Sequence, residues 1–133
     1  MTILMMTGLP ILLSACGGAQ AIQEGAVYPA DRAQTSVVDI QVFRDETVIT
    51  FTNTTARSFP ACRMWINKWF SKEIPAIGVG QTVSHSLHDF QDQYGDAFRA
   101  GGFFASDRPA RLVLAQLEIG DEMVGLIVVA PQE

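Results

Sequence analysis

The sequence predicts an all-β fold, an antiparallel β-sandwich of about seven short strands, and three observations lead there. From Ser36 onward apolar side chains recur at every second position, the period of a half-buried strand. Clusters of Gly, Asn, Asp and Pro interrupt these runs at intervals of roughly 8–15 residues, as turns between short strands do. No stretch sustains the three-to-four-residue apolar spacing of an amphipathic helix. Short strands with no helix between them pair most simply with their neighbours in the chain, as two packed layers.

The elements follow in order. "SVVDIQVF" (36–43) sets Val38, Ile40 and Val42 against Val37, Asp39 and Gln41. After the polar break Arg44-Asp45-Glu46, "TVITFTN" (47–53) places Ile49 and Phe51 on one face and Val48, Thr50 and Thr52 on the other. Two such runs across a short polar break predict a hairpin, with a polar turn at Asn53-Thr54-Thr55 after it. "ACRMWINKWF" (61–70) lies between Pro60 and Pro75. As a strand it alternates Cys62, Met64 and Ile66 against Arg63, Trp65, Asn67 and Trp69. As a helix it would align Trp65 with Trp69 and Ile66 with Phe70. Its strand neighbours favour a single strand. "GQTVSHSLHDF" (80–90) alternates Val83, His85 and Leu87 against Ser84, Ser86, His88 and Phe90. "QDQYGDAF" reads as a turn region, and the double Gly beside a double Phe in "AGGFFAS" (100–106) as a bulged or bent strand. "RLVLAQLEI" and "MVGLIVVA" flank Gly120-Asp121-Glu122 as a second hairpin. In strand number and size this layout resembles immunoglobulin-like and fibronectin-like modules, without the paired cysteines of a true immunoglobulin domain.

The front of the chain has a different composition. Residues 1–15 hold no charged side chain, and residues 3–15, "ILMMTGLPILLSA", are mostly apolar. At about 1.5 Å per residue they make roughly 20 Å of helix, short of a hydrocarbon core of roughly 30 Å. Gly8 and Pro10 weaken a helix further. The length suits the apolar region of a secretory signal better than a membrane span. Leu13-Ser14-Ala15-Cys16 resembles a bacterial lipobox, and Gly17-Gly18 the flexible tether that follows one. The resemblance covers residues 1–18 alone. It implies diacylglycerol on the Cys16 thiol, cleavage before Cys16, and two or three acyl chains in the bilayer. Each buried methylene contributes ~0.8 kcal/mol, so one chain holds marginally and two or three hold nearly permanently. A residue other than Asp after the cysteine implies the outer membrane, facing the periplasm, in a Gram-negative cell. The pattern departs from a normal signal in having no Lys or Arg ahead of the apolar run, which fits either a natural start upstream of Met1, the preferred reading, or a weak signal. The expected organisation is therefore a signal peptide over 1–15, a lipidated Cys16 and tether over 16–36, in which Val27-Tyr28 begins to pack, and one β-domain over 37–133.

Charge and motif content narrow the function. The chain of 133 residues carries a net charge of −5, which argues against nucleic acid and against broad docking on anionic lipid. With Cys16 acylated, Cys62 has no partner in the chain and reads as a small buried hydrophobe. His85, His88 and Asp92 would share a face on a helix and could then bind zinc or iron. On a strand, residues three apart point to opposite faces, which breaks the set. Arg63, Trp65, Asn67 and Trp69 would line one strand face, a glycan platform if exposed and core if covered. There is no Gly-x-Ser-x-Gly elbow, His-Glu-x-x-His pair, phosphate loop or dinucleotide glycine pattern, so no catalytic residue and no cofactor is expected. Ser84 and Ser86 flank His85 but cannot face it along a strand. The expected partners are membrane lipid through Cys16 and an envelope protein or a glycan. The expected role is a lipid-anchored binding or spacing module. The alternatives are a metal-dependent enzyme using His85 and His88, and a peptidoglycan-binding module using Trp65 and Trp69.

Overall fold

The computed structural model describes residues 25–130, so Cys16, the expected signal and the front of the expected tether lie outside the described residues. The described chain is all-β. Its strands are β1 (Gln34–Asp45), β2 (Val48–Thr52), β3 (Cys62–Ile66), β4 (Phe70–Ile74), β5 (Thr82–Ser86), β6 (Ala115–Ile119) and β7 (Glu122–Val129). One turn of 3-10 helix, Leu87–Asp89, follows β5. Among the described residues no helix is long and apolar enough to cross a membrane.

The strands form one sheet in the order β4-β3-β6-β7-β1-β2-β5, curled into a half-barrel. Every neighbouring pair is antiparallel except β1 and β7, which run parallel. The sequence led us to expect two antiparallel sheets; the strands instead hydrogen-bond as a single mixed sheet. Alternation within each strand and the turns between neighbours specify hairpins. They carry no information on how the first strand meets the last.

Curling lets one sheet enclose its own core. Cross-strand partners share a face, and the concave face is built from such pairs: Val42 with Phe51, Met64 with Leu117, Leu117 with Val124, and Ala115 with Leu126. All of these are buried, and Phe59, Leu87, Phe90 and Phe98 from the connections close over them. The two sheet edges approach each other. Ser71 of β4 bridges to Gln91, just beyond the 3-10 turn that follows β5.

The convex face has a second packed layer. The chain before β1 lies across it, with the Tyr28 ring edge-on to Trp65 at 5.2 Å and its hydroxyl donating to Gln116 Oε1 at 2.9 Å. Gly125 of β7 is needed here. A Cβ at that position would sit 2.6 Å from the Gln34 side chain, which lies over it and accepts from Gln116 Nε2.

Three expected elements are corrected. The single strand over 61–70 is a hairpin, β3 and β4, turning at Asn67 and Lys68 with φ of 53° and 55°. Asn tolerates that left-handed conformation, and its side chain is anchored: Nδ2 donates to Arg111 O, and Oδ1 accepts from Val113 N. "AGGFFAS" is an open loop, not a bent strand, with Gly101 and Gly102 at φ of 85° and 110°. The strand expected from Arg111 starts only at Ala115, because the preceding residues are held by Asn67.

Candidate functional site

The half-barrel has two ends, and one of them is open. That end carries the β1–β2 turn at Glu46-Thr47, the β3–β4 turn, the start of β6 and the end of β7. A groove of about 1070 Å³ opens there, its wall mostly apolar with Phe103, Pro109, Leu112, Val113 and Val128, and with Arg44, Glu46 and Arg111 also lining it. Phe103 and Phe104 stand beside it, 94% and 95% exposed, their rings edge-to-face at 5.0 Å. Val113, which also lines the groove, is exposed as well.

Arg44 holds this end together. Its Nε donates to Glu46 O at 2.8 Å, Nη1 to Ala110 O at 2.6 Å and Nη2 to Ala100 O at 2.9 Å, and its guanidinium lies over the Phe98 ring. Burial lowers its pKa from the ordinary arginine value. A cation committed to three carbonyls is a clamp on the loop, not a group waiting for an anion. In sequence it reads only as part of a polar break. An arginine directly after an alternating apolar run was the available signal, and it is a weak one.

A polar cluster sits where the sheet edges meet. His85 projects from β5 beside the Phe51 ring and is 9% exposed. Lys72 of β4 places its Nζ 3.4 Å from His85 Nδ1 and 3.0 Å from Asp89 Oδ2. An ammonium only donates, so Nδ1 accepts and the ring proton sits on Nε2. Nε2 is buried without a partner. Burial chiefly, and then the Lys72 charge, lower the His85 pKa, against a smaller opposing pull from Asp89. The lone pair a general base would use therefore faces a cation. The cluster is a neutral plug in the seam.

A testable consequence follows from that depressed pKa. Below about pH 6.5 an unfolded His85 takes up a proton while the folded one still resists it. The histidine therefore destabilises the fold progressively as pH falls through that value toward the folded pKa. His85→Leu removes both this term and the unpartnered Nε2–H. Its urea midpoint should fall less between pH 7 and pH 5 than that of the unsubstituted protein. Equal acid sensitivity of the two would contradict the depressed value.

The remaining candidates are separated. Among the described residues no three His, Cys, Asp or Glu side chains come together as a metal site. Asp92 is instead a turn-former, its Oδ1 accepting from Tyr94 N and Asp96 N at 2.9 Å each. His88 lies on the 3-10 turn beyond His85, exposed. Trp65 is 1% exposed under Tyr28, its Nε1 donating to Glu118 Oε2 at 2.7 Å, so it offers no face to a glycan. The hairpin turn carries Asn67 and Trp69 away from it. Trp69 is half-exposed, with Nε1 on Asp92 Oδ2 at 3.3 Å and its ring 6.4 Å from the exposed Tyr94. Arg63 pairs with Glu73 and donates to Ser71 Oγ. Cys62 is buried in the core, and burial, with Glu73 and Glu118 adding to it, pushes its thiol up to about 11. A thiol at that value is an inert hydrophobe at neutral pH.

Comparison with protein-family models, with curated proteins and with solved structures found no match.

Proposed function

We propose that the protein is a lipid-anchored component of a bacterial cell envelope whose β-domain binds through its open end and performs no turnover. The observation that carries the binding half is the mostly apolar groove with Phe103 and Val113 uncovered in its lining and Phe104 exposed beside Phe103. Apolar area held in water at one place, beside an arginine already committed to backbone carbonyls, suits a surface that is covered in use. The anchoring half rests on Leu13-Ser14-Ala15-Cys16 and the apolar run before it. The support for binding over catalysis is chemical. The His85 lone pair faces Lys72, the Cys62 thiol is buried and protonated, and the groove is bordered by Arg44, Glu46 and Arg111 without a nucleophile.

Cys16→Ser tests the anchor. Expressed in a bacterial host, the unsubstituted protein should fractionate with membranes and carry a diacylglycerol mass increment on the Cys16 peptide. The variant should lack the increment and resist the cleavage that precedes Cys16. An unmodified, uncut chain recovered from the cytosol would remove the lipoprotein reading.

A further inference from the structure

The geometry points to the Phe103–Phe104 loop as a second membrane contact, an aromatic tip with an arginine rim that inserts into an anionic bilayer surface. This inference rests on the lipid-anchored reading for its orientation, and it names the partner of the open end as lipid.

Three observations converge on it. Two adjacent phenylalanines, each more than nine-tenths exposed, crown a loop with Gly101 and Gly102 in the left-handed region. A substituted residue there would strain the backbone, so the glycines shape the projection. The loop is also charged against the trend of the chain. Around the pair, Arg99, Arg108 and Arg111 are exposed and Lys68 stands on the β3–β4 turn at the same end, against Asp107 in the loop and Asp45 and Glu46 of the facing β1–β2 turn, so this end carries more cations than acids in a protein whose net charge is −5. Aromatic rings that enter the acyl boundary, with guanidinium groups held at headgroup level, are the physical pattern of an interfacial anchor. The overall charge argues against broad electrostatic docking, but not against a local basic rim.

The third observation is position. Gly25 lies against the Asp92 carbonyl, and Asp92 accepts from Trp69 beside the β3–β4 turn. That turn, through Asn67, holds Val113 in the lining of the groove. The chain leading back to Cys16 thus leaves from the same end of the half-barrel as the Phe103–Phe104 loop. Fully extended, the segment between Cys16 and Gly25 reaches at most about 30 Å. That reach is no more than about the width of a domain with a radius of gyration of roughly 13 Å, so the leash favours the exit end over the opposite end without fixing the tilt.

The test is a depth measurement on the full chain as purified from membranes. Cys62 is buried and its thiol protonated, and an acylated Cys16 is capped, so an introduced cysteine takes a spin label selectively. Ser106→Cys reports the loop, and Asp121→Cys reports the β6–β7 turn at the opposite end. On vesicles of phosphatidylcholine with phosphatidylglycerol, the label at position 106 should be shielded from an aqueous nickel relaxant and open to oxygen. The label at position 121 should stay aqueous. Shielding at 106 should weaken in phosphatidylcholine alone and at high salt. Phe103→Ser/Phe104→Ser, which removes nothing from the core and should melt unchanged, should abolish the shielding.

Both labels aqueous on a protein still held through a modified Cys16 would overturn the loop contact and leave the anchor standing. Equal shielding at both ends, or shielding indifferent to the phenylalanines, would overturn it as well. If mass spectrometry finds Cys16 unmodified, the anchor fails separately. The loop contact then requires that the double serine variant bind the anionic vesicles on the order of tenfold or more weakly than the parent chain; equal binding would refute it.

Discussion

Trp65→Ala should lower the unfolding free energy by about 3–5 kcal/mol, a large share of the roughly 5–15 kcal/mol typical of a domain. The indole is 1% exposed on the convex face, outside the main core, and three other groups depend on it. Tyr28 packs edge-on against the ring, and Glu118 accepts from its Nε1. Arg32 in turn donates to the other oxygen of Glu118 at 2.7 Å and to Gly120 O at 2.9 Å. Removing the ring leaves a cavity and takes one partner from Glu118, and it also loosens the chain before β1 from the sheet. Urea unfolding should show the loss, and proteolysis around Tyr28 should accelerate in parallel. Trp65→Phe keeps most of the buried area and should recover more than half of the stability. A loss below about 1 kcal/mol for the alanine variant would mean that the convex layer is ornamental, against the geometry seen.

The sequence reading of Trp65 shows how far local pattern reaches. Alternation places it correctly on the face opposite Cys62, Met64 and Ile66. Nothing local says that the chain near Tyr28 returns to cover that face, because the pairing spans more than 30 residues. The same limit hides the parallel contact of β1 with β7, which depends on the first and last strands meeting. Hairpins were legible where the turn chemistry was strong: β1 with β2, and β6 with β7 across Gly120-Asp121. Asn67-Lys68 was missed because an Asn within an alternating run looks like one more outward polar residue. Its left-handed φ and its capture of Arg111 O and Val113 N are tertiary facts. The strand count agrees only by compensation: 61–70 contributes two strands where one was expected, and 100–106 contributes none. Of the candidate site, the glycines and phenylalanines of the loop read in sequence only as a bulged or bent strand and not as a site, because exposure is set by the fold. An apolar pair reads as core until the loop is seen to have nothing above it.

Arg44→Ala should cost about 2–4 kcal/mol and free the open end, since charge-assisted hydrogen bonds contribute about 1.5–3 kcal/mol each but do not add independently. The guanidinium joins the end of β1 to both limbs of the long connection before β6, at Ala100 and at Ala110. Ala100 is buried, so its carbonyl gains no full replacement from water once the donor is gone. Arg44→Lys should restore little, because one ammonium cannot reach three carbonyls set in a fork. The local consequence is sharper than the global one. Arg99 and Arg111 flank the clamped loop and are exposed, so they are the natural reporters: trypsin should cut there several-fold faster in the alanine variant under native conditions. If cutting is unchanged while global stability falls, Arg44 matters as packing over Phe98 and not as a clamp. If cutting accelerates, the aromatic tip is held in place by β1, and its insertion into lipid should weaken along with the clamp, with Phe103 and Phe104 themselves untouched.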